Sequence, residues 1–264
     1  MILVRFKEIF KNSINATFEN SPNSTLLVAV FPIIFMLTLL YVYQFESDFP
    51  NIYWGLLRED GLFESLQWLC YFSSGLMGLY SFLTVMKLKP KLKIKPLTFQ
   101  AIFLLLFSIL SILIAFEEIS WGQRIFGIKS NNFFLMYNVQ KESNIHNLSL
   151  IQENIQFFYI FIGLFGSFGW LFKRNCSANG FRDIFVVDWF LSLYFLPVAL
   201  FYFYLHYSFI FNFLNFLNFF APNLFNQLHY HQEQFETLLS FGICLMAYFN
   251  LVKCQLLLVK NTGI

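Results

Sequence analysis

Charged side chains are scarce in this sequence. Asp, Glu, Lys and Arg make up 12% of 264 residues, against about 25% in ordinary soluble domains. With 58% hydrophobic residues as well, a soluble fold could not cover its own surface. The few charges nearly cancel. A net charge of +2 leaves no basic excess to neutralise phosphates, which argues against a nucleic-acid partner. Cysteine is also sparse. Cys70, Cys176, Cys244 and Cys254 show no paired spacing and fall within or just beyond apolar segments. That pattern points to neither a disulfide framework nor a zinc knuckle. No internal repeat and no long linker of disordered composition is present.

Apolar residues are abundant, Phe above all with 39 copies. A spanning helix needs roughly 20 mostly apolar residues. Six stretches meet that criterion, at about 25–45, 61–86, 97–118, 154–172, 184–206 and 233–252. The expected fold class is therefore all-α, a polytopic transmembrane bundle of about six helices forming one membrane domain over residues 1–264. The first stretch is longer than the 7–15-residue core of a signal peptide and lacks a small-x-small cleavage site, so it is expected to be a retained helix. The preceding residues, with Arg5, Lys7 and Lys11, suit a short interfacial helix. Gly163, Gly166 and Gly169, spaced by three, suit close helix packing.

Orientation follows from the connections. Lys87, Lys89, Lys91, Lys93 and Lys95 lie after the second span, Lys173, Arg174 and Arg182 after the fourth, and Lys253 and Lys260 at the end of the sixth. With the three N-terminal residues, that places 13 of the 17 Lys and Arg on one side. Short loops rich in Lys and Arg stay cytoplasmic, so the chain is expected in a bacterial cytoplasmic membrane with both termini inside. The opposite side receives 11 of the 15 acidic residues and all four histidines, His146, His206, His229 and His231. That side is the candidate functional face.

Several glutamates stand where a charge is costly. Glu64 opens the second span with Gln67 one turn on, and Glu233 and Glu236 open the sixth on one face. A carboxylate in a first helical turn gains from the helix dipole, which is the purely structural reading of these three. It fails for Glu117 and Glu118, which close the third span at the unfavourable end of the dipole. For them the structural reading is an ion pair with Arg124.

Residues 119–153 are too polar to span and too aromatic for a solvated linker. Trp121, Phe126, Phe133, Phe134 and Tyr137 suit a segment lying in the interface. The segment is expected to form a helix-containing cap over the outer helix ends, with its aromatic residues buried against the bundle. Asn138, Glu142 and His146, at i, i+4 and i+8, would share one inward stripe of a helix; a solvated polar face is the alternative. Residues 207–232 read as an amphipathic helix on the bilayer, broken near Pro222. They deliver His229, His231, Glu233 and Glu236 within eight residues. These ligand types match zinc or iron, so a divalent metal such as zinc, held by His146, His229, His231 and Glu233, is one expectation.

The string EEISWGQR at 117–124, followed by NVQKESNIHN at 138–147, resembles the signature of an uncharacterised group of bacterial polytopic membrane proteins. DGLFE at 60–64 is similar to a third block of that group, and QFETL at 234–238 to a fourth. The resemblance implies that these blocks belong to one site; it implies no activity. A fainter similarity is to the CPBP membrane proteases, relatives of the CAAX-processing enzymes. Those carry a Glu-Glu pair three residues before Arg, then Phe-x-x-x-His. Here five residues separate Glu118 from Arg124, Phe225 and His229 fit the second pattern, and no third motif follows.

Two classes of function stay open. One is a membrane-embedded hydrolase or transferase acting at the outer leaflet on a lipid, lipid-linked or peptide substrate. Glu118, Glu64, Glu142 and His146 would be its catalytic residues, and Arg124, Trp121, Gln123, Asn138 and Glu236 would bind substrate. The other is a non-catalytic transporter or an accessory subunit of an envelope complex, since intramembrane ionisable residues mark transport paths as readily as active sites. In either class Glu64, Glu118, Glu142 and His146 are expected to line one cavity.

Overall fold

The computed structural model describes residues 22–44, 55, 61–92, 96–172, 186–213 and 232–262. The described residues are all-α. They form α1 (Pro22–Gln44), α2 (Leu62–Leu92), α3 (Pro96–Glu118), α4 (Gln123–Phe126), α5 (Asn132–Tyr137), α6 (Ser149–Phe168), α7 (Ser192–Phe213) and α8 (Gln232–Thr262), with no strand among them. Short 3-10 turns at Ser120–Gly122, Gly169–Phe172 and Trp189–Leu191 extend α3, α6 and α7.

Five helices are long and apolar enough to cross a membrane, with spans Leu62–Leu88, Phe99–Glu118, Asn154–Leu171, Trp189–Tyr207 and Gln232–Val259 among the described residues. The chain is thus a multi-pass integral membrane protein. Five of the six expected spans satisfy the criterion. The first forms a 23-residue helix, α1, whose apolar stretch among the described side chains is Leu26–Leu39. Leu69, Leu76 and Leu83 on α2, and Leu106, Ile109 and Leu113 on α3, lie on the outside of the bundle. In water such a surface would be unstable, whereas lipid tails solvate it. The expected interfacial helix before residue 22 and most of the one at 207–232 lie outside the described residues.

Small residues set which helices touch. A Cβ on Gly75 would sit 2.4 Å from Ile112, and the Ser108 hydroxyl donates to the Gly75 carbonyl at 2.5 Å, joining α2 to α3. On α6, a Cβ on Gly163 would lie 2.7 Å from the backbone nitrogen of Ala199 in α7, and one on Gly166 would enter the Phe195 ring. Gly169 differs, because its nearest neighbour would be Phe165 of its own helix at 3.8 Å. Gly163→Ala is therefore expected to force α6 from α7 and destabilise the protein by about 1–3 kcal/mol. Gly169→Ala should leave it nearly unchanged. Thermal unfolding of the two variants in one detergent checks the contrast.

α8 is central, packing on α2 along one side and on α7 along the other. Around it lies an apolar core of Phe190, Tyr194, Phe195, Tyr202, Leu238 and Leu239. A smaller core of Val85, Leu88, Ala101, Leu104 and Cys254 closes the far end of α2, α3 and α8. α1 leans on this body: the Tyr194 hydroxyl donates to the Val28 carbonyl at 2.9 Å, and Phe31 and Phe35 meet Phe241 edge-on. Asp188, 2% exposed, pairs with Lys253 at 2.6 Å, fastening the start of α7 to the far half of α8.

Candidate functional site

α2 and α8 begin, and α3 ends, at the same end of the bundle, and each brings glutamates there. Between them lies a cavity of about 530 Å³, lined by Glu64, Glu118, Glu233 and Glu236. α6 and α7 add Tyr159 and Tyr202, and the segment after α5 adds Gln140, His146 and Asn147 as a roof.

The carboxylates differ in what holds them. Glu233 accepts from the Gln67 amide at 2.8 Å; Gln67 is fully buried and also donates to Thr237 at 3.2 Å. Glu236 accepts from the Tyr202 hydroxyl, and the Tyr159 and Tyr202 rings stack with centroids 4.3 Å apart. Glu118 lines the cavity with no hydrogen-bond donor among the described residues. Adjacent residues on a helix point about 100° apart, so Glu117 leaves the cavity to its neighbour and turns to the roof. One Glu117 oxygen accepts from Trp121 Nε1 at 2.6 Å, the other from the backbone amides of Ile145 at 2.5 Å and His146 at 3.2 Å. His146 Nδ1 lies 3.5 Å from the latter oxygen, at ion-pair distance but without hydrogen-bond geometry.

Glu117 is thus the post on which the cap hangs. Charge-assisted bonds of this kind contribute about 1.5–3 kcal/mol each. Glu117→Ala is expected to speed amide exchange at Ile145 and His146 at least tenfold while leaving the exchange of α2 and α8 unchanged. Hydrogen-exchange mass spectrometry reads both.

The cap departs from the helical stripe. After α3 the chain reverses through Ser120, Trp121 and Gly122, with φ of 46°, 57° and 72°. Two consecutive non-glycine residues in the left-handed region cost roughly 1–3 kcal/mol each. That turn sends Ser120 inward and stacks Trp121 on Phe116 with centroids 5.7 Å apart. Asn138 does not continue a helix. It caps α5 with extended backbone and pairs with Leu148 across a tight loop. Within this loop Glu142 accepts from the Ser120 hydroxyl. Asn144 donates to Ser120 at 2.9 Å, and Asn138 donates to Asn144 at 2.8 Å. Ser120, Asn138, Glu142 and Asn144 are all buried. The expectation for the aromatic residues is reversed: Trp121, Phe126, Phe133 and Tyr137 lie exposed while polar groups fill the interior. A cap in the membrane interface can turn rings outward, whereas its amides and carboxylate need partners.

Glu64, Glu118, His146, Glu233 and Glu236 therefore meet in one cavity, and Glu142 does not line it. Asn138 and Gln123 belong to the cap's own hydrogen bonding, Gln123 accepting from the Ser143 amide at 2.7 Å. Arg124 lies in α4, its side chain outside what is described, and His229 and His231 are outside the described residues. Among those described, no group of three or more His, Cys, Asp or Glu is placed to hold a metal. Of the expected ligands, His146 and Glu233 line the cavity, fewer than the three that a catalytic zinc uses. Tyr159, Tyr202, Gln152 and Gln156 were not anticipated as site residues. Their only sequence signal is hydrogen-bonding capacity inside or beside an apolar run. Comparison with protein-family models, with curated proteins and with solved structures gives no match.

Proposed function

We propose that the cavity is a substrate site on the non-cytoplasmic face of a bacterial cytoplasmic-membrane protein with both termini inside, α1 serving as a sixth crossing. In this reading the protein is a hydrolase or transferase acting on a lipid or lipid-linked substrate. The observation that carries it is the unequal engagement of the glutamates. Glu117, Glu233 and Glu236 are held by named donors, whereas Glu118 faces the cavity with none among the described residues. A carboxylate that faces a cavity with no donor among the described residues is suited to accept a proton from a bound water or hydroxyl. Protonated Glu118 can then return that proton to the leaving group, while Glu236, accepting from the Tyr202 hydroxyl, fixes the opposite wall of the cavity. His146, seated against Glu117, positions the roof over the reacting group.

The lining also selects substrate. Several carboxylates in one cavity repel a bare phosphate by several kcal/mol at an effective dielectric of ~20. The reacting portion is accordingly a hydroxyl- or amine-bearing headgroup, bonded by the carboxylates, Tyr159 and the glutamines. The test uses the full chain in vesicles made from a bacterial membrane lipid extract, with products followed by mass spectrometry. Wild-type protein should convert a headgroup-bearing lipid, and Glu118→Gln should not. Equal product from both removes the role of Glu118. No product from either moves the accessory-subunit reading ahead. That second reading draws on the exposed edge of Phe126, Phe133, Met136 and Tyr137 on the cap, which suits a partner's surface.

A further inference from the structure

The cavity is lined by two sets of hydrogen-bonding side chains. The carboxylates Glu64, Glu118, Glu233 and Glu236 come from α2, α3 and α8. Carboxamides come from the remaining elements, Gln152 and Gln156 from α6, Gln140 and Asn147 from the cap. Ser149, Gln152, Gln156 and Tyr159 recur every three to four residues, so the first three turns of α6 turn one polar face to the cavity. The other side of this helix is apolar, with Phe157, Phe158 and Phe161 exposed to lipid. Polar groups in such a helix are costly unless something bonds them. Yet neither Gln152 nor Gln156 makes a side-chain hydrogen bond among the described residues. Both amides are left for whatever the cavity holds.

A carboxamide carries an NH₂ donor and an acceptor oxygen, whereas a carboxylate only accepts. The lining therefore presents donors and acceptors together. An ammonium has donors alone and would leave the amide NH₂ groups unused. A phosphate has acceptors alone and is repelled by the carboxylates. A quaternary ammonium needs open aromatic faces, and Tyr159 and Tyr202 turn theirs to each other with 12° between the planes. A hydroxyl both donates and accepts, so one hydroxyl can bridge a glutamate and a glutamine. The volume, about 530 Å³, is that of a site for a whole small molecule, with room for several hydroxyls on a ring. We propose, building on the reading of the cavity as a substrate site, that the headgroup it takes is a neutral sugar and the substrate a glycolipid, with Gln152 and Gln156 as specificity-determining residues. The glutamates accept from the sugar hydroxyls, and the two glutamines donate to the same oxygens from the α6 side. Gln140 and Asn147, joined through Asn147 Nδ2 and Gln140 Oε1, close over the ring from the cap. The lipid tails stay in the bilayer against the exposed phenylalanines of α6.

The full chain is purified in octaethylene glycol dodecyl ether, a detergent without a sugar. Three lipids with the same oleoyl chains are titrated, and bound lipid is counted by native mass spectrometry. They are dioleoylglycerol, its monoglucosyl derivative, and its amino analogue, in which an ammonium replaces the terminal hydroxyl. The glucosyl lipid should bind about tenfold or more tightly than either of the others, the effect of a few added hydrogen bonds. Gln152→Leu combined with Gln156→Leu should bring it down to the affinity of dioleoylglycerol. A folded double variant that keeps the preference overturns the inference. Binding of the amino analogue as tightly as the glucosyl lipid, or more so, also overturns it, while leaving the cavity as a headgroup site. Equal affinities for all three lipids remove the sugar and the substrate-site reading together. The wild-type ranking decides the matter even if the double variant fails to fold.

Discussion

Glu118→Gln protein is expected to insert, fold and melt as wild type does, yet to lose turnover by roughly 10²–10⁴-fold, the usual contribution of a positioned general base. The amide keeps the shape of the side chain and removes its ability to take a proton. Folding should survive because Glu118 has no hydrogen-bond donor among the described residues, and because removing one of four cavity carboxylates relieves repulsion. The neighbouring Glu117→Gln change is a useful contrast. Its carboxylate receives Trp121 and the amides of Ile145 and His146, so its effect should fall on cap order and only secondarily on rate. Rates and melting curves for the two variants, in the same vesicles, separate the roles. A Glu118→Gln protein that turns over at the wild-type rate would leave the cavity carboxylates as independent helix-end charges.

Asp188→Asn is expected to destabilise the fold by about 3–5 kcal/mol, the cost of stranding the partner of a buried ion pair. Lys253 is 11% exposed and Asp188 2%, and their 2.6 Å contact joins the turn before α7 to α8. The asparagine leaves an ammonium in an apolar wall with half its interaction gone. Asp188→Asn combined with Lys253→Met removes the stranded charge and should recover much of the loss, since replacing a buried pair by apolar groups is often close to neutral. Thermal unfolding of the two single variants and the double variant closes the cycle. Additive losses would show that the pair is not coupled.

Hydropathy is a property of consecutive residues, and bilayer thickness sets one length for every span. For that reason the α-class, five spans among the described residues, and the gathering of Glu64, Glu118, Glu233 and Glu236 at one end were readable in the sequence. The i, i+4 spacing of Asn138, Glu142 and His146 fits a helix and fits equally the closed loop they form. Whether Asn138 continues a helix or pairs with Leu148 depends on Ser120 and Glu117 meeting it from α3, and neither contact is local. The same holds within the spans. Tyr159 and Tyr202 resemble any aromatic residue facing lipid until α6 and α7 bring them together beside Glu236. The order of residues determined which segments cross the membrane and which of their ends carry charge. Which helices are neighbours depends on side-chain fit at places such as Gly75 against Ile112 and Gly163 against Ala199, and that fit exists only in three dimensions. Tertiary packing alone therefore decided that Glu118 faces a cavity and that Glu117 holds the cap.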